Sequence, residues 1–213
     1  MAPRSEADDR SFLVRLFDWL ELKVSNKLTF DGLLIVHDKE ADQIVEALRL
    51  IRRFDPVRYN RLRRDVSRIW VRVIPVGMAN FERSTWTCNV DPRAMKNQLA
   101  EAIAGWIVHE AAHARLFRAG IGYREDLRDR VERICIGREL AFAAKLPDGR
   151  QPRERAEAAL NACPDFSNAA MSERGYTGVH DALLHLGAPA WIATSVISLG
   201  RWLHARRRSA PKG

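Results

Sequence analysis

Cysteine is scarce in this chain. Three residues, Cys88, Cys135 and Cys163, stand far apart among 213 and are odd in number. That excludes a disulfide framework and points to a reducing compartment. An apolar leader is also missing: the first twelve residues, MAPRSEADDRSF, are polar and acidic, so the expectation is a cytoplasmic protein. Long apolar runs are few. Only residues 182–200 go 19 positions without a formal charge. No internal repeat and no recognised nucleic-acid module is visible. Histidine is rare as well, with six residues, which makes their spacing informative.

What the chain has in excess is arginine. Lys and Arg total 35 against 27 Asp and Glu, for a net charge of +8 with His neutral. Such a balance permits contact with nucleic acid, anionic lipid or acidic substrates and requires none of them. The basic cluster at residues 58–68 (RYNRLRRDVSR) reads first as a solvated helix face. Nucleic acid is therefore the less favoured partner. A hydrophobic content of 46% suits one globular domain with a sizeable core.

Two of the six histidines fall in His109-Glu110-Ala111-Ala112-His113. On a helix, residues four apart share a face about 5–6 Å from each other. Two imidazoles so placed can bind one Zn²⁺. Glu110 follows the first histidine and is placed to act as general base, taking a proton from water and passing it to a leaving amine. The flanks support a helix over residues 97–117, rich in Ala, Leu, Ile and Glu and free of proline. Asp91 and Pro92 read as its cap and first position.

The segment Trp106-Ile107-Val108-His109-Glu110-Ala111-Ala112-His113-Ala114 resembles the active-site helix of zincin metallopeptidases. The likeness covers residues 97–146, and uncharacterised bacterial HExxH proteins are similar. Arg115 departs from the pattern, which usually carries an apolar residue there. The resemblance implies an α+β fold, a mainly helical zincin-like domain with a small antiparallel sheet packed on the HExxH helix. It also implies Zn²⁺ as cofactor, a third protein ligand, and a peptide or protein as substrate.

The third ligand is sought downstream. Ala119 and Tyr123 rule out the metzincin pattern. Residues 118–122 read as a turn and 123–146 as a second helix. In a tight antiparallel pair centred near Gly120, residues equidistant from the turn face each other, so Glu132 comes level with the histidines. This is close to the gluzincin arrangement. Glu139, whose surroundings resemble the Glu-bearing helix of repressor-cleaving HExxH peptidases, is the first alternative. Asp129 and Cys135 follow, and His180 and His185 are more distant options. In some zincins a Tyr or His polarises the transition-state oxyanion, a role for which Tyr176 and His180 are the candidates.

Along the chain, residues 1–10 read as a mobile tail and 11–22 as an amphipathic helix. Residues 33–37 suit a strand, 40–54 a helix, and 57–66 a further helix or loop. Residues 69–75 and 84–90 read as two strands joined by 77–83, with 84–90 as the edge offered to an extended substrate. Residues 151–163 read as a helix and 164–178 as a loop. The domain then spans 11–180, followed by an apolar helix with a basic tail at 181–213. The stretch 182–200 is just long enough to cross a bilayer, but Pro189, its glycines and its hydroxyl residues favour a buried or peripheral helix, with membrane contact through 182–208. The functional expectation is a zinc-dependent hydrolase, a metallopeptidase with His109, His113 and Glu132 as ligands. The alternative is a metal-stabilised regulatory or binding protein of zincin fold with one dedicated partner.

Overall fold

A computed structural model describes residues 23, 25–37, 41–162 and 164–209. The expected tail at 1–10 and helix at 11–22 lie outside these residues, as does Cys163. The fold is α+β and mainly helical, with one small five-stranded sheet.

Strands β1 (Asn26–Phe30) and β2 (Leu33–His37) form a hairpin. Its two-residue turn, Asp31-Gly32, has positive φ at both positions, 50° and 81°, the conformation for which Asp-Gly is favoured. Helix α1 (Ala41–Phe54) buries Ile44, Leu48 and Ile51 on one face. Helix α2 (Pro56–Asp65) starts at Asp55, whose side chain accepts from the Arg58 N–H, with proline at the first turn. Together α1 and α2 carry the chain across to β3 (Arg68–Val71), which therefore runs parallel to β2. Strands β4 (Ala79–Glu82) and β5 (Thr87–Val90) complete the order β1-β2-β3-β5-β4, with β5 parallel to β3 and antiparallel to β4.

This corrects two expectations. The sheet is mixed rather than antiparallel, because the helical crossover fixes a parallel pair at its centre. The edge strand is β4, inside the segment read as a linker. The chain turns back at Trp86, φ 52°, and inserts β5 between β3 and β4.

Asp91 caps a separate short helix, α3 (Pro92–Met95), and not the HExxH helix. Asn97, at φ 63°, breaks the run, and α4 (Ala100–Arg118) begins at Leu99 without a side-chain cap. Helix α4 is the centre of the molecule. Ile103, Ala104, Trp106, Ile107 and Val108 are all buried, so it is covered on nearly every side. It packs on α1, α2, β4, β5 and α5 (Arg128–Ala143), the last preceded by a 3-10 turn at Glu125–Leu127. Helix α6 (Arg150–Ala162) covers α4 and α5.

Residues read as a loop up to 178 are largely helical. Ser167 accepts from the Ala170 N–H at 3.2 Å and starts α7 (Asn168–His185). The apolar stretch 182–200 is not one helix. Gly187, at φ 87°, and Pro189 separate α7 from α8 (Ala190–Ser209). Helix α8 exposes Trp191, Leu199 and Trp202, so it lies at the surface. Among the described residues no helix is long and apolar enough to cross a membrane.

Candidate metal centre

The face of α4 turned toward α5 and β4 carries His109 and His113. Their Nε2 atoms lie 3.2 Å apart. From α5, Glu132 brings Oε2 to 3.3 Å from His109 Nε2 and Oε1 to 3.4 Å from His113 Nε2. An ion bound tetrahedrally at 2.0–2.1 Å holds its ligand atoms about 3.3–3.4 Å from one another. Each separation is near that edge length, but the two imidazoles face different oxygens of Glu132, so its carboxylate spans both nitrogens and one oxygen must turn toward them to share a single ion.

Cys135, one turn beyond Glu132, brings its sulfur within 4.8 Å of both imidazoles. Its thiol is fully buried, and burial together with the nearby Glu132 and Glu110 carboxylates pushes its pKa well up. Glu132 is the closer group and is anionic at neutral pH, so it is the better placed third donor.

The surroundings orient these groups. Glu139 is 1% exposed and sets Oε2 at 3.4 Å from His109 Nδ1, while Arg155 from α6 grips its other oxygen. That arrangement holds the Nδ1–H tautomer and leaves Nε2 free. Glu139 therefore stands behind His109 rather than beside Nε2. Space for its carboxylate comes from Gly105, where a Cβ would meet Glu139 Oε1 at 3.2 Å. Tyr123 donates its O–H to Glu132 Oε1 at 2.5 Å and packs edge-on against His113 with ring centroids 5.6 Å apart.

The charge balance is unusual for a protein interior. Glu110, Glu132 and Glu139 surround two imidazoles, and only Glu139 has a basic partner, Arg155, among the described residues. Burial disfavours a charged imidazole at His109, but the Glu132 and Glu139 carboxylates outweigh it and raise its pKa to about 10. Burial likewise opposes ionisation of Glu132, and the two imidazoles more than offset it, holding its carboxyl far below the usual range. Burial and the adjoining Glu132 carboxylate raise the Tyr123 phenol.

The cluster opens into a cleft of about 560 Å³. Edge strand β4 contributes Ala79, Asn80 and Phe81 to one wall, and Phe166, Met171 and Arg174 form the other. Glu110 lines the same cleft and is 7% exposed.

Other expected residues are elsewhere. Asp129 is exposed and pairs with Arg133 at 2.9 Å. Tyr176 donates to the Gly200 carbonyl between α7 and α8. His180 lies beside Asp181, and neither it nor His185 lines the cleft. Sequence reasoning passed over Tyr123, noted there only as the position where a metzincin would carry its third ligand. It also left unnamed the partner of His109, although Glu139 sits seven residues after Glu132 on the same helical face.

No protein-family model matches the chain, and neither curated proteins nor solved structures give a match.

Proposed function

We propose that this chain is a zinc-dependent peptidase. The observation that carries the proposal is the mutual approach of His109 Nε2, His113 Nε2 and the Glu132 carboxylate to 3.2–3.4 Å at the base of a cleft. Those three residues would hold the ion. When bound, zinc supplies Lewis acidity, polarising a substrate carbonyl and acidifying water. Glu110 faces the same cleft and accepts the proton of the attacking water, then returns it to the leaving amine. Glu139 keeps the His109 ring in its working tautomer. Tyr123 keeps the Glu132 carboxylate aimed.

An extended peptide is the substrate shape that suits the cleft. Among the described residues strand β4 pairs with β5 and ends the sheet, the position at which an extended peptide can add as a further strand. Phe117, Ile121, Phe166 and Met171 favour bulky apolar side chains beside the scissile bond.

The test is the zinc content of the purified protein beside His113→Ala and Glu132→Ala, followed by a peptide-library screen with Glu110→Gln. The wild type should hold about one zinc and both ligand variants should lose it. Glu110→Gln should keep zinc and lose turnover by about 10²–10⁴-fold. A wild type that takes up no zinc on reconstitution, or a fully active Glu110→Gln, would overturn the proposal.

A further inference from the structure

Helix α4 has a second cavity on its other side. It measures about 500 Å³ and is bounded by α1, α2, α4 and α5, within the range of small-molecule sites. Its floor is apolar, made by Leu62, Val108, Ala111, Leu116 and Ile134. Its rim is Arg58, Arg61, Arg64, Arg115, Arg118 and Arg138, drawn from three helices.

The carboxylates near this rim do not balance it. Asp65 is 1% exposed and holds Arg64 at 2.8 Å and Arg118 at 2.9 Å, with Arg115 at 3.5 Å. Asp55 pairs with Arg58 and with Lys145. Six guanidiniums thus face two carboxylates. Arg61 and Arg138 have no carboxylate partner among the described residues. Like charges gathered around a concave, apolar surface focus the field and raise the local concentration of anions. The buried Asp65 engages Arg64, Arg115 and Arg118, which leaves Arg61 and Arg138 as the rim guanidiniums open to a ligand. Guanidinium forks match the planar oxygens of phosphate and carboxylate, while the floor offers only apolar contact.

We infer that this cavity binds an anionic amphiphile, one phosphate or carboxylate head carried on an apolar body. The head lies between Arg61 and Arg138, and the body covers Leu62, Val108 and Ile134. Two features separate this from a solvated basic face. The cavity is walled by four helices instead of spread along one, and its floor is the reverse side of the HExxH turn, through Ala111 and Ala112. The site is independent of the metal, since none of its lining residues belongs to the zinc donor set.

The test is isothermal titration of the full chain with dodecyl phosphate below its micelle concentration. Inorganic phosphate tests the head alone, and dodecyl maltoside tests a neutral head. Dodecyl phosphate should bind saturably at one equivalent. Each control should bind at least tenfold more weakly, and so should dodecyl phosphate to Arg61→Ala/Arg138→Ala. Both arginines are exposed and the double variant should keep the wild-type melting temperature and zinc content. Absence of saturable binding overturns the inference. So does equal affinity for either control, or an unchanged affinity in the double variant.

Discussion

Replacing Gly105 by Ala sets helix stability against the geometry of the proposed metal centre. In the interior of α4 the change favours the helix by about 1 kcal/mol. A Cβ at this position would lie 3.2 Å from Glu139 Oε1 and 3.5 Å from Pro152 Cβ. The carboxylate must therefore move by a few tenths of an ångström. It has little room, being 1% exposed and held between His109 Nδ1 at 3.4 Å and Arg155. Overpacking of this kind costs about 1–3 kcal/mol, so the net loss of stability is about 0–2 kcal/mol. For a chain of this length that lowers the melting temperature by at most about 8 °C. Zinc affinity should respond more strongly. Disturbing the partner of a ligating histidine weakens binding by about 10–100-fold. A competition titration against a chromophoric chelator reads the affinity, and calorimetric melting reads the stability. Glu139→Gln keeps Gly105 and removes only the carboxylate charge, and should weaken zinc by a similar factor. If both variants bind zinc as tightly as the wild type, Glu139 does not orient His109 and the reasoning fails.

Three further outcomes follow from the same contacts. Tyr123→Phe keeps the ring against His113 and loses the hydrogen bond to Glu132, so zinc affinity measured by chelator competition should fall about tenfold. Gly178→Ala should destabilise the fold by at least about 1–3 kcal/mol in denaturant unfolding, because a Cβ there would sit 1.4 Å from the Pro75 carbonyl oxygen. Asp91 should make the fold acid-sensitive. Burial raises its carboxyl, but the Arg93 guanidinium and the N–H groups of Ile74 and Arg93 outweigh this and hold it below its ordinary 3.8. Its stabilising contribution is complete above about pH 4 and is lost as the pH falls through the depressed folded value. Chemical denaturation between pH 5 and about pH 2 should show that slope, and Asp91→Asn should flatten it.

Much of the scaffold was legible in the sequence where pattern and capping agree. Leu33–His37 is a strand as expected, and α1 follows its period of apolar residues. The expected turn at 118–122 is longer in the structure, running from Ala119 through the 3-10 turn at Glu125–Leu127 before α5 starts at Arg128, yet Glu132 still comes level with the histidines, at 3.3 and 3.4 Å. Other elements left weak signals. Strand β4 is four residues, Ala-Asn-Phe-Glu, too short to alternate convincingly. Helix α7 contains Gly175, Gly178, Ser172 and Thr177, which lower local propensity; only the Ser167 cap announces it. The break at residues 186–189 was written in Gly187 and Pro189, but the absence of charge across 182–200 concealed it. Tyr123 and Arg155 escaped because their roles depend on tertiary placement, with Arg155 arriving from a helix of its own.

Arg155 has a consequence for how α6 behaves. It is a single side chain through which this helix shares Glu139 with His109. Occupation of the proposed ligand nitrogens and docking of α6 are then two equilibria with one carboxylate in common, and each shifts the other by the same free energy. Zinc should slow amide exchange in α6, a helix that supplies none of the proposed ligands. Loosening α6 from outside should, in return, draw the ion out.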